Sequence, residues 1–560
     1  MGMLTPTLKP NQTAICGQEF NASIPAAPSV YVPYTFCKAK CDGPGISQFA
    51  KPSAWAAPIV QFILPAVIFS TTIPRRLKLG FKSQIATTPG RGQTAKRWLT
   101  FISTPFKGPI RLFLVVADNV FWIAAILMMA GPMMLSGVYE AVLDLKILAV
   151  LDSDPGQNFD EATVVELLLT VVAGNLHRSA QIDPLADIQQ AIRTSVTAEA
   201  KRARLLGLVD SQMPYGAIVG APVAFYIGNF VYTILDLKNK PSDQDAAISL
   251  AFGVEWMIIV HVAIIGSCVL ATNNPSTSSV LSGRGNPRIA IRRATTTQNL
   301  AGQLPPGLWT RIRTGDLPFL VDMYDNRYQP VTMWSRGNNK EEWVRNSAAY
   351  RVQLRDNRRL MVGWMAKISI LFVTAVLINL PLIAGAVVAW RTPPVGWGCR
   401  SLSFICYAGV QLLVTMLFIV LHKVPTPNEV VRGAGPAKGL KRYLGAGWYL
   451  IKVFWCGMAY AVFGVSLLLS LFVALGGTLM QVVGIYRNCF CYVNAPEWYN
   501  TDRAYVQVAS DTQEQRDSSH NWIIFGGIAT LFMAACCLVG WWYQARVRRR
   551  YKRIVNSRLV

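Results

Sequence analysis

Residues 246–271 read AAISLAFGVEWMIIVHVAIIGSCVLA, a run whose only ionisable side chains are Glu255 and His261. An α-helix rises about 1.5 Å per residue, so this run covers the ~30 Å hydrocarbon core of a bilayer. Seven other stretches qualify: Ala54 to Pro74, Leu112 to Gly137, Pro214 to Leu235, Met361 to Trp390, Leu402 to Leu421, Ala446 to Leu475 and Asn521 to Tyr543. Several end in aromatic residues (Trp390; Trp448 with Tyr449; Trp541 to Tyr543), whose rings favour the headgroup zone. The whole chain agrees with this reading. Of its 560 residues 52% are hydrophobic and 15% charged, with a mean hydropathy of +0.31, which excludes an ordinary soluble globule. The expected fold is an all-α polytopic transmembrane bundle.

The net charge of +24 raises the question of nucleic acid, and the position of the cations answers it. Arg75 to Arg111 holds nine Lys or Arg and no acid, and Thr272 to Leu360 holds fourteen against six. Lys423 to Gly445 holds five against one, and the tail after Gln544 holds seven against none. These segments carry 35 of the 54 basic residues, so the excess reads as an orientation signal that keeps them in the cytosol. No nucleic-acid partner is implied; the partner is the lipid bilayer.

The N-terminus then lies outside and the C-terminus inside. Three features agree. The chain's two glycosylation sequons begin at Asn11 and Asn21, in the segment before the first span. The six cysteines outside the spans (Cys16, Cys37, Cys41, Cys399, Cys489 and Cys491) all fall on the outer side, where up to three disulfides could form in any of fifteen connectivities. The loop from Gly476 to His520 carries five acids against three bases. A multi-pass glycoprotein of the plasma membrane or a secretory-pathway membrane follows. With no continuous apolar core in the first 50 residues, the first span is expected to direct insertion.

Parity creates a difficulty. Three apolar stretches lie between the basic loops ending at Arg111 and starting at Thr272, and an odd number cannot return the chain to the same side. The sequence favours a ninth crossing at Ala162 to Asn175 (ATVVELLLTVVAGN). The rival is a re-entrant or interfacial helix there, with one of the three stretches failing to cross. Residues 182–196 follow with apolar side chains at helical spacing, an amphipathic helix on the membrane or the bundle. The segments organise as an outer region (1–53), a first helix group (54–271), a basic cytosolic module (272–360), a second helix group (361–543) and a basic tail (544–560). Aromatics at Trp309, Phe319, Tyr324, Tyr328 and Trp334 suggest order within the module, and Arg292-Arg293-Ala294-Thr295 resembles a basophilic kinase site at Thr295.

Ionisable groups inside spans are costly and are therefore the first candidates for function. Asp118 and Lys452 lie at similar depths and could pair, or else snorkel and hydrate separately. Glu255 and His261, six residues apart, point about 120° apart on a helix and face different partners. They read as a proton or cation relay, or a general acid for an apolar substrate, against the plainer alternative of packing hydrogen bonds. Gly216, Gly220 and Gly228 read as a close helix contact. No phosphate-cradling loop, dinucleotide fingerprint, zinc motif or nucleophile elbow occurs, so no catalytic set, metal or cofactor is assigned.

The stretch from Glu255 to Thr277, EWMIIVHVAIIGSCVLATNNPST, together with the sequon-bearing N-terminus and basic tail, resembles uncharacterised multi-spanning membrane proteins of filamentous fungi. Some of those are encoded beside specialised-metabolite genes, which implies an accessory or transport role. The expected activity is transport, sensing or scaffolding of a small molecule or ion. The alternatives are a membrane-embedded enzyme acting on a lipid or terpenoid-like substrate, with Glu255 as general acid, and a cell-surface receptor.

Overall fold

The computed structural model describes residues 31–40, 52–75, 77–79, 93–153, 159–176, 197–210, 212, 214–241, 243–271, 320–322, 331–346, 360–392, 396–423, 441–507 and 512–559. Asn11, Cys16, Asn21, Cys41, Thr295, Trp309, Phe319, Tyr324, Tyr328 and residues 182–196 lie outside them. Eight helical segments are long and apolar enough to cross a membrane. The chain is a multi-pass helical membrane protein.

The helices run α1 (Tyr34–Lys40), α2 (Pro52–Pro58), α3 (Leu64–Thr72), α4 (Gln93–Ser153), α5 (Glu161–Ala173), α6 (Ala198–Asp210), α7 (Ala221–Asn239), α8 (Gln244–Cys268), α9 (Arg336–Asn346), α10 (Trp364–Trp390), α11 (Cys399–Lys423), α12 (Lys441–Leu471), α13 (Gly477–Val483) and α14 (Gln513–Arg558). One-turn π-helices join α2 to α3 and α12 to α13, and another leads into α7. Two short antiparallel pairs complete the fold. They are β1 (Tyr31–Pro33) with β4 (Tyr505–Gln507), and β2 (Leu77–Leu79) with β3 (Leu320–Asp322).

At the bundle's axis is α8, whose residues 247–268 are all buried. The surrounding helices are apolar on both sides: Phe225, Phe372, Val465 and Leu531 are among the large side chains left exposed. A soluble protein does not present such a surface, and a lipid-facing one does. Close packing is made elsewhere than the sequence suggests. A Cβ at Gly216 or Gly228 would meet nothing within 4 Å, so these glycines do not mediate the helix contact expected of them. The tight approaches are at Gly253 against Phe62, Gly526 against Leu250 and Gly137 against Ile265.

The ends of the bundle differ in chemistry. At one end, β1 and β4 enclose a small second core of Val32, Cys37, Cys489, Val493, Ala504 and Val506, stapled by Cys37–Cys489 and Cys399–Cys491. At the other, α14 continues as the basic tail, with one face still packed on the neighbouring helices. We call these the disulfide end and the tail end. Two of the three possible disulfides are thereby assigned, both at one end, as cysteines on one side require.

The parity difficulty is resolved inside α4. Met129 (φ −112°, ψ 16°) leaves the helical region and breaks α4 into two arms. The later arm descends to the tail end, where Gly137 meets Ile265 near the C-terminus of α8. The earlier arm goes the same way. Trp122 donates its indole N–H to the Ser70 carbonyl (2.9 Å), and Asp118 pairs with Arg75 at 2.8 Å, just past the end of α3. Arg75 also lies over the Trp122 ring. Pro74, between them, lies against Gly266 of α8. Meanwhile Leu127, at the bend, meets Tyr407 and Gln411 in the middle of α11. A straight helix would carry Trp122 about 7 Å from Leu127 towards the disulfide end, away from Ser70. The arms therefore form a re-entrant hairpin with both ends at the tail end. The other seven segments long and apolar enough to cross are α2–α3, α7, α8, α10, α11, α12–α13 and α14.

The ninth crossing favoured at Ala162 to Asn175 is not made. That stretch is α5, with 13 helical residues, about 20 Å long and short of the hydrocarbon core. It starts on an Asp160 N-cap whose side chain accepts from the Thr163 N–H, and it is buried at the tail end beside α4, α9 and α14. Its apolar composition reflects burial among these helices rather than contact with lipid.

Candidate functional site

Broken backbone in a membrane interior must be satisfied by protein groups, because no water is there to do it. The bend in α4 meets this demand with side chains. The Leu127 carbonyl accepts from Tyr407 Oη (2.9 Å), Gln411 Nε2 and Ser470 Oγ (3.1 Å), while the Gly131 N–H donates to Gln411 Oε1 (3.0 Å). Gln411 also donates to Ser470 Oγ at 2.7 Å. Three helices, α4, α11 and α12, thus converge on one carbonyl. A Cβ at Gly131 would stand 3.2 Å from the Gln411 carbonyl and overlap the Thr415 hydroxyl, so glycine here lets α11 approach the break.

Next to this polar centre is Glu255. Its side chain is buried on α8 and neither carboxylate oxygen has a hydrogen-bond partner. Tyr407 and Tyr486 lie within electrostatic reach of it, and Tyr407 is also a donor to the Leu127 carbonyl of the broken helix. His261 is fully buried with both ring nitrogens unpartnered, and its ring meets Phe532 of α14 edge-on at 5.4 Å between centroids. Glu255 and His261 thus face different helices, as their spacing predicts.

The three described candidates, Asp118, Glu255 and His261, have different surroundings. Asp118 belongs to the tail-end pair with Arg75, which occupies it where Lys452 was expected; the Lys452 side chain lies outside the described atoms. Of the three, Glu255 sits beside the polar centre, within electrostatic reach of Tyr407. Tyr407, Gln411 and Ser470 escaped sequence analysis because uncharged residues in an apolar run carry no strong signal.

A second polar assembly lies at the tail end. Glu140 and Asp144 of α4 meet Arg336 and Lys340 of α9, all four side chains fully buried. Arg336 Nε is 3.0 Å from Glu140, and Lys340 Nζ is 3.1 Å from Glu140 and 2.6 Å from Asp144. Two acids four residues apart face two bases four residues apart, each pair on one helical face. The remaining donors reach carbonyls: Arg336 to Ala271, Lys340 to Val171. Charges balance and α9 is drawn into the bundle, burying Trp343 and Val344 on the same face. So this part of the basic module is a plug in the helix bundle. Tyr139 donates to Glu341 at its rim.

Backbone contact makes the plug sensitive to bulk. The Gly337 N–H donates to Ser136 Oγ at 2.8 Å, and a Cβ there would stand 2.8 Å from the Ser136 carbonyl. Gly337→Val is expected to cost about 1–3 kcal/mol and loosen α9, read as faster amide exchange over residues 333–346 with the crossings still protected. Unchanged exchange would refute this docking.

Among the described residues no cluster of His, Cys, Asp or Glu could hold a metal ion. A class is thereby defined: a multi-pass helical bundle with eight long apolar segments, one of them bent into a hairpin, with an uncharged polar centre, an adjacent buried carboxyl and a charged plug at one end. No protein-family model, curated protein or solved structure matches the chain.

Proposed function

We propose that the protein is a proton-linked transporter of a small solute, with the break in α4 as its binding centre and Glu255 as its protonatable group. The observation that carries this is the juxtaposition of Glu255, through Tyr407, with a broken membrane helix whose freed carbonyl is held by exchangeable side chains. Broken helices near the bilayer midplane are where transporters build solute sites, since unwound carbonyls and helix ends supply polar contacts. A hydroxyl or amide of a solute can replace Gln411 or Ser470 at Leu127. A carboxyl buried without a partner is costly when charged, so gaining a partner and losing a proton are linked. The oxidising chemistry of the disulfide end and the positive tail end support an N-terminus outside and a C-terminus in the cytosol.

The test is purified protein in liposomes containing a pH-sensitive dye, challenged with a panel of sugars, amino acids, carboxylates and amines. At least one class is expected to drive protein-dependent proton movement. Glu255→Gln should abolish that movement while leaving the melting temperature within a few degrees. Solute uptake that is unchanged by Glu255→Gln and by pH would remove the proton link. No movement with any class would remove the transport reading.

A further inference from the structure

The tail-end half of α14 carries basic residues on two faces with different surroundings. Arg548 and Lys552 turn towards α6, where both contact Asp210 at 3.1 and 2.7 Å. Lys552, its hydrogen bond foremost, holds the Asp210 carboxyl below its ordinary range. The adjoining face packs Tyr543, Val547, Tyr551 and Ile554 into the bundle. Arg546, Arg549, Arg550 and Arg553 lie on the remaining face. They line, with Trp542, a groove of about 330 Å³, and none of the four meets a carboxylate among the described residues.

Depth fixes what this groove faces. Gln544 donates to the Ser267 carbonyl, near the end of α8, so the bilayer's hydrocarbon ends close to Trp542. Trp542 is half exposed, as an interfacial ring would be, and Arg546 stacks over it at 5.0 Å. Arg549 to Arg553 follow within about 16 Å of Trp542 along the axis, at headgroup depth and just beyond. Four guanidinium groups spaced three and four residues apart offer forked donors to phosphate oxygens. From these observations we infer that the groove binds the headgroup of an anionic phospholipid, preferentially one carrying a phosphomonoester, with the acyl chains lying along the exposed lower part of α14. This site is independent of the transport reading.

Native mass spectrometry of the full-length protein in detergent tests this with three short-chain lipids: dioctanoyl phosphatidylinositol 4-phosphate, phosphatidylserine and phosphatidylcholine. The first should be retained most strongly and the last least. Each arginine is expected to contribute roughly a fivefold factor in retention. A variant with all four changed to Gln should therefore lose binding of the inositol lipid by roughly several hundredfold. Arg548→Gln with Lys552→Gln should retain it, because those side chains are committed to Asp210. Equal binding of all three lipids, or equal binding by the fourfold variant of unchanged melting temperature, would overturn the inference. So would inorganic phosphate or soluble inositol 1,4-bisphosphate displacing the lipid at equal concentration, since the site would then recognise free phosphate. An acidic peptide that displaces the lipid through the same arginines with higher affinity would overturn it in favour of a protein partner.

Discussion

Lys340→Met is expected to destabilise the protein by about 3–5 kcal/mol, the usual consequence of stripping one partner from a buried charge cluster. The reason is local. Among the described residues Lys340 is the one cation touching both acids, so its loss leaves Asp144 without its 2.6 Å partner and gives Glu140 to Arg336 alone, in a fully buried site. The Val171 carbonyl also loses its donor. Thermal melting of the purified protein should fall by several degrees, with new proteolysis within 331–346. Removing the charges as a pair, Lys340→Met with Asp144→Leu, should recover most of the loss, because Arg336 and Glu140 remain matched. If the single variant melts like the parent, the cluster is not the clamp described here. If the double variant is worse than the single, packing rather than charge holds α9.

Gln411→Leu is the second large effect. The amide makes four contacts in one place: it accepts from Gly131 N–H and donates to the Leu127 and Met128 carbonyls and to Ser470 Oγ. Leucine fills similar space and offers none of these. Each buried group left unsatisfied costs about 1–3 kcal/mol, and the Leu127 carbonyl keeps Tyr407 and Ser470, so a net loss of about 2–4 kcal/mol is expected. The bend should lose rigidity as well, raising amide exchange at Gly131. Gln411→Glu, which preserves the acceptor and the shape, should protect Gly131 better than leucine does. Equal behaviour of the two would show that α11 holds the break by shape alone.

The helical bundle and its two chemically distinct ends were legible because they rest on coarse physics. Length sets what can span, and the placement of Arg and Lys sets direction. Glu255 and His261 were legible as isolated ionisable groups in the most apolar run. Fate within the fold was less so. Residues 162–175 were too apolar for a loop and were read as a crossing, when α5 owes its composition to burial between α4 and α9. The break at Met129 does have a local cause in Gly131-Pro132: Pro132 has no N–H for the Met128 carbonyl and its ring crowds that carbonyl, while the side chains of α11 and α12 that satisfy the freed groups come from far along the chain. The charged plug did leave a trace. Glu140 with Asp144 and Arg336 with Lys340 share the same four-residue spacing, and each is unusual for its surroundings, an acid pair following an apolar span and a base pair beside Trp343. The two pairs lie 196 residues apart, so local spacing does not join them. At the tail, counting cations gave orientation but could not divide α14 into the face bound to Asp210 and the face left open.

All of this depends on α4 entering and leaving on one side of the membrane. Single cysteines introduced by Lys78→Cys on β2 and Asp152→Cys at the end of α4, labelled with a membrane-impermeant maleimide in sealed vesicles, test it most directly. Asn556→Cys marks the tail end and Tyr499→Cys, almost fully exposed, the disulfide end. The account predicts that positions 78 and 152 label together with 556 and opposite to 499. Labelling of 78 and 152 from opposite faces would mean that α4 passes straight through, and would contradict it.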